Sequence, residues 1–143
     1  MANPIDPVDA ALLAKLNDPA LAALMPDGVF FDLSPPNAKR FVLVTLLLAV
    51  PTHGFDPAPL YETSIYLVEA YGLSSSGPDA GVNEAADRIY ELLHRQPLTI
   101  AGAAHMQTLR TRRTRPPATV DPQDADLRWQ RRGGHYEISV SPI

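Results

Sequence analysis

The stretch PDAGVNEAADRIYELLHR, Pro78 to Arg95, limits the folds open to this chain more than any other. Val82, Ala86, Ile89 and Leu93 recur at helical spacing and make one apolar stripe, widened by Ala85 and Leu92. Pro78 suits a first turn, Asp79 and Glu84 lie near the positive end of the helix dipole, and His94 and Arg95 lie near its negative end. Glu84 with Arg88, and Glu91 with Arg95, stand at i,i+4 in the favourable order on the wet side. The spacing predicts one long helix over about 78–95. Its single apolar face must lie on something.

The flanking sequence supplies the surface. Val29–Leu33, VFFDL, reads as a short strand running into the rigid corner SPPN. Phe41–Val50, FVLVTLLLAV, is apolar at every position but Thr45, which predicts a central strand covered on both faces and ending at Pro51. Leu60–Tyr71 reads as a long strand of the sheet interior, and LTIAG after Pro97 as a short strand or edge. His105–Arg115 and Leu127–Arg132 read as two extended segments joined by PPATVDPQDAD, with Gly133-Gly134 a bend between strands. HYEISVSPI alternates as a strand with one wet face. At the N-terminus, Asp6-Pro7 and Asp18-Pro19 each open a short helix, with Val8, Leu12, Leu13 and Leu16 on one face of the first. Strands grouped on both sides of one helix indicate an α+β fold, a mainly antiparallel β-sheet with the helices packed on it. The expectation is a single domain over 1–143, with an arginine-rich hairpin projecting at about 105–134.

Composition narrows the chemistry. Hydrophobic residues make up 45% and charged residues 20%, as in a folded globular chain. There is no cysteine, which removes disulfides, thiolate metal sites and cysteine nucleophiles. His53, His94, His105 and His135 lack ligand-like spacing, and Asp121, Asp124 and Asp126 lack the glycine and glutamate of a calcium loop. No nucleophile elbow, P-loop, dinucleotide fingerprint or H-E-x-x-H is present, so no enzyme is indicated and no cofactor or metal is expected. The start MANPIDPVD does not read as a signal peptide, and the longest apolar run, ten residues, is short of the roughly 20 that a membrane helix needs.

Charge is uneven. Residues 1–104 carry 5 Lys and Arg against 12 Asp and Glu, whereas residues 105–143 carry 7 Arg against 4 acids. By strand alternation Arg110 and Arg112 share one face and Arg113 and Arg115 the other; Trp129 and Arg131 alternate with Arg128 and Arg132. These eight residues form the candidate interface, because tryptophan and arginine are enriched where protein interfaces are strongest. Three readings compete: a solvated hairpin, a small nucleic-acid-binding module, and a subunit contact in which arginines meet the acidic face of a neighbouring copy.

The layout resembles a known family. DPALAALMPDGVF, then PPNA before an apolar strand, then AADRIYELLHRQPLTI leading into hairpin strands and a closing HYEISV, are similar to the tail terminator or tail completion proteins of long-tailed bacteriophages and gene transfer agents. The resemblance implies an α+β protein assembled in the host cytoplasm and residing in the virion, at the head-proximal end of the tail. Its partners would be its own copies in a ring, usually a hexamer, together with the tail tube protein and a head–tail connector or neck protein. DNA would only pass through the lumen, and no membrane is involved. A head-side neck protein is the alternative of the same class. The very apolar Phe41–Val50 and the Pro-rich link depart from the family pattern.

Overall fold

A computed structural model describes residues 7–55, 59–74 and 81–142. Three helices, α1 (Pro7–Leu16), α2 (Pro19–Leu24) and α3 (Val82–Leu93), accompany strands β1 (Val29–Phe31), β2 (Arg40–His53), β3 (Pro59–Ser74), β4 (Ala103–Thr114), β5 (Thr119–Val120) and β6 (Arg128–Pro142). The strands form one sheet in the order β1-β2-β3-β6-β4, with β5 laid on the start of β6. All pairings are antiparallel except β1 with β2. β1 has three residues, so the chain needs to double back only about 10 Å, which the segment 32–39 spans without a helical crossover. Asp32, at φ 65°, makes the reversal in the left-handed region that aspartate tolerates better than most residues.

The helices lie on one face of the sheet. Val42 and Val44 of β2, Tyr66, Val68 and Ala70 of β3, and Tyr136 and Ile138 of β6 point into the core. There they meet Leu12 and Leu16 of α1, Leu21 of α2, and Val82, Ala85, Ile89 and Leu93 of α3. A hydrogen bond from the Tyr66 hydroxyl to Asp9 Oδ1 (2.6 Å) pins α1 over the centre of β3. Among the described residues, the remaining face of the sheet carries no helix.

Helix α3 is shorter than its pattern predicts. Pro78 and Asp79 lie outside the described residues, and the other end stops at Leu93, not Arg95. Arg95 takes φ 57° and gives its backbone N–H to the Thr108 carbonyl of β4 (2.7 Å), so it leaves the helix and cannot pair with Glu91. Glu91 instead accepts from Arg88 (3.0 Å), whose other nitrogens hold Asp18 at 2.8 and 2.9 Å. Leu98 and Ile100 are buried without strand pairing, so the expected LTIAG strand is a packed connection.

Asp18 both receives the Leu21 N–H, capping α2, and binds Arg88 of α3. The Arg88 hydrogen bonds lead the causes that lower its pKa from 3.8 to about 2. Because the folded value is depressed, the stabilisation is present above the ordinary carboxylate range and is lost as pH falls towards 2. Asp18→Asn is therefore expected to lower the urea midpoint at pH 6, with the gap to the unaltered chain closing between pH 4 and pH 2.

Three further expectations need correction. β6 is one continuous strand through Gly133 and Gly134, so these are not a bend. It lies between β3 and β4, so the arginine-rich segment is built into the sheet and does not project. The segment Phe41–Val50 is covered only at its start. β2 runs on through Pro51 to His53, and Leu46, Leu47, Leu48 and Val50 are each 45–52% exposed. Past Val44 the outer edge of β2 has no neighbouring strand among the described residues, which is why a proline can sit there.

Candidate interaction surfaces

The eight residues expected to act together are divided between the two faces of the sheet. A β-bulge at Thr111 breaks the alternation of β4: Arg110 faces Tyr136, Arg112 faces His135 and Arg113 faces Gly134. Arg110 and Arg113 thus stand on the helix side and Arg112 on the open side, a reversal of the simple pairing. Arg115 lies beyond the end of β4.

On the helix side Arg110 is used within the chain. Its guanidinium lies 4.0 Å from the centre of the Tyr90 ring, which stacks on His94, and its backbone N–H donates to His94 Nδ1 (3.0 Å). Burial, with the cations Arg95 and Arg110 close by, pushes the His94 pKa down and favours the neutral ring that this acceptor role requires. The Tyr136 hydroxyl is buried there beside Arg110, and burial pushes its pKa up. Gly134 makes the arrangement possible, since a Cβ at that position would come within 2.8 Å of Arg110 Cδ.

On the open side a polar cluster crosses three strands. Glu69 of β3, Gly133 of β6 and Thr114 of β4 are in register. The Thr114 hydroxyl donates to Glu69 Oε2 (2.9 Å) even though an entire strand lies between them. Gly133 has no side chain, so the buried Glu69 reaches across it. Arg131 Nη1 sits 3.5 Å from Glu69 Oε1 and donates to the Tyr71 hydroxyl (3.3 Å). That hydroxyl, then the Glu69 charge, raise the Arg131 pKa. Tyr71 stacks on Phe41 (5.0 Å between ring centres), Trp129 meets Phe41 edge-on (6.0 Å), and the indole N–H binds Asp121 (2.9 Å). A cleft of about 550 Å³ opens over these rings between Pro35-Pro36 and Pro117–Pro122.

The other cations divide in the same way. Arg132 donates to the Pro116 carbonyl (3.4 Å), and Arg128 to those of Ala125 (2.6 Å) and Leu127 (3.1 Å). Arg112, Arg113 and Arg115 are exposed at the β4 edge. They are the members of the set turned outward rather than spent on internal contacts. Among the described residues no group of three or more histidines or carboxylates could hold a metal ion, and no helix is long and apolar enough to cross a membrane.

Over most of its length the fold matches that of a chain from a virion particle. A chain in the virion of a native gene transfer agent particle superposes with a TM-score of 0.56, covering 92% of this chain and 92% of its own length at 18% identity. The two chains share a fold. A second solved structure matches 99% of this chain and 97% of its own, with a TM-score of 0.59 and 15% identity. No protein-family model matches the sequence, and neither does any curated protein.

Sequence reasoning missed a group of exposed apolar residues on and after β2. The far end of the β2–β3 hairpin carries Leu46, Leu47, Leu48, Val50, Phe55 and Leu60 in the open. An apolar run conventionally signals burial, and that reading hid it. The available signal was the proline at 51 in a run already bordered by a turn-rich loop, a mark of an edge rather than a sheet centre.

Proposed function

We propose that this chain is a structural protein of a tailed phage or gene transfer agent particle, a ring-forming tail terminator that caps the tail tube and joins it to the head connector. The observation that carries the reading is the fold shared with a chain of a gene transfer agent virion over nine-tenths of both lengths. Such a protein works by shape and contact. Its surfaces must meet other copies, the last ring of the tube and a neck protein, while DNA passes through the lumen.

The outward-facing Arg112, Arg113 and Arg115 suit such a contact, since arginine pairs directionally with carboxylates and residues 1–104 of the chain are strongly acidic. Reversing all three to glutamate is expected to leave the fold intact, because exposed substitutions away from internal contacts usually change stability by only about 0.5 kcal/mol each. Sedimentation should show assembly weakened at least about tenfold, as charged interface contacts of this kind commonly contribute more than about 1.4 kcal/mol. Unchanged assembly would mean that these arginines only keep the sheet edge soluble. Imaging labelled chain in purified particles tests the reading itself. Label at the head-proximal end of the tail supports a terminator, label on the head vertex supports a neck protein, and its absence from particles ends both.

A further inference from the structure

Among the described residues β4 pairs with β6 alone, and the backbone groups at the middle of its outer edge are taken up by the chain that leads into it. The Thr108 carbonyl accepts the Arg95 N–H (2.7 Å), and the Arg110 N–H donates to His94 Nδ1 (3.0 Å). These two groups flank Leu109 and are the ones that an adjoining strand would engage. An imidazole nitrogen thus stands where a strand would present a carbonyl. The connection is tied a second time by the Leu98 N–H, which donates to His105 Nδ1 (3.3 Å). The other nitrogen of that ring lies 2.7 Å from the Thr108 hydroxyl. With Nδ1 accepting, Nε2 carries the proton and donates to Thr108. The segment held in this way puts Leu98 and Ile100 into the core without belonging to a strand.

We propose that His94 and His105 form an acid-released latch, which holds residues 94–102 against β4 while both rings are neutral and lets them go when the rings take up protons. An imidazolium has two N–H donors and no acceptor, so a proton on Nδ1 would set donor against donor at Arg110 and at Leu98. The bond from the Arg95 N–H to Thr108 is backbone to backbone and cannot hold the segment alone. The surroundings favour neutral rings. Facing His94 are Tyr90, stacked on it at 4.6 Å, and the cations Arg95 and Arg110; Tyr136 of β6 lies beside Arg110, and Glu91 of the same helix is engaged by Arg88. Facing His105 are the uncharged Leu98 and Thr108, with Val140 of β6 opposite in register, and Arg95 lines the hollow beside it. Among the described residues neither ring has a carboxylate partner. Burial first, then Arg95 and Arg110, pushes the His94 pKa down; burial pushes that of His105 down against an opposing hydrogen bond with the Gln107 backbone. Because the folded values are depressed, the stabilisation is full above the ordinary histidine range and is lost as pH falls below it. Release would bare Leu98, Ile100 and the β4 edge around Leu109. The latch belongs to the chain alone and does not depend on the tail reading.

Nuclear magnetic resonance of the full chain, from about pH 8 down to about pH 5, tests it. At the alkaline end the imidazole nitrogens should show both rings neutral with the proton on Nε2, and both should titrate below the ordinary histidine range. As they titrate, the protection of the Leu98 and Arg110 amides against hydrogen exchange should fall at least about tenfold, the equivalent of one buried hydrogen bond. The amides of Val68 and Ile138, in the centre of the sheet, should keep theirs. His94→Asn with His105→Asn puts a carboxamide oxygen near the place of each Nδ1, where it accepts the same N–H groups and does not titrate. Protection of Leu98 and Arg110 in that chain should stay level over the whole range. A proton on Nδ1 at the alkaline end, protection that does not change as the rings titrate, or an equal loss at Val68 and Ile138 would overturn the proposal. So would a double variant that folds and still loses protection with the acid. If the double variant does not fold, the tautomer and the protection of the unaltered chain decide.

Discussion

Gly133→Ala is expected to be the most damaging single-methyl substitution in the chain. A Cβ at position 133 would fall on the Val68 carbonyl and lie 2.7 Å from Glu69 Cα, both backbone atoms of a central strand that cannot move aside. It would also occupy the path by which Glu69 crosses β6, 2.9 Å from its Cγ. Overpacking of well-filled sites costs typically about 1–3 kcal/mol, and here rigid backbone places the cost at the upper end or above. Against a total stability of about 5–15 kcal/mol, that is enough to lower soluble yield sharply. Urea unfolding should show a midpoint reduced by an equivalent amount. A variant as stable as the unaltered chain would mean that β3 and β6 are not this close.

Arg131→Ala is the second. It removes the cation beside Glu69, whose side chain is 3% exposed, whereas Arg131 itself is 45% exposed. The asymmetry decides the result. Losing the arginine leaves a buried carboxylate with only Thr114 to satisfy it, at an expected cost of about 2–3 kcal/mol. Losing the carboxylate as Glu69→Gln leaves a cation that can turn to water, and should cost less. The double variant should recover part of the Arg131→Ala loss, giving a coupling that denaturant unfolding of all four chains measures. Equal losses from the two single substitutions, adding without coupling, would show that the pair does not act as one unit.

Both predictions depend on a feature that periodicity could not disclose. Helical spacing was sufficient for α1, whose expected cap Asp6 lies outside the described residues, the Asp18 cap for α2 and alternation for the strand character of β3, and the stripe Val82–Leu93 marked α3 as the helix that closes the core. The end of α3 was misplaced because Arg95 is turned outward by a long-range bond to Thr108, invisible to local pattern. Gly133-Gly134 suggested a bend because paired glycines favour turns; their actual role is to let side chains from neighbouring strands cross over β6. The bulge at Thr111 then reversed which arginines share a face. Of the eight arginine-region residues, the internal bonds of Arg110, Arg128, Trp129, Arg131 and Arg132 leave the outward role mainly to Arg112, Arg113 and Arg115. The exposed apolar part of β2 was misjudged for a more general reason. Hydrophobicity states that a segment avoids water, but not whether its cover comes from its own chain or from another.

The proposed role has a simple physical core: an α+β subunit whose unmatched surfaces are satisfied only by neighbours. Electron microscopy of particles made from a genome lacking this chain tests it most directly. The account predicts filled heads without tails beside unjoined tails of irregular length, with normal particles restored when the chain is supplied in trans. Tails of uniform length joined to heads in its absence would contradict it.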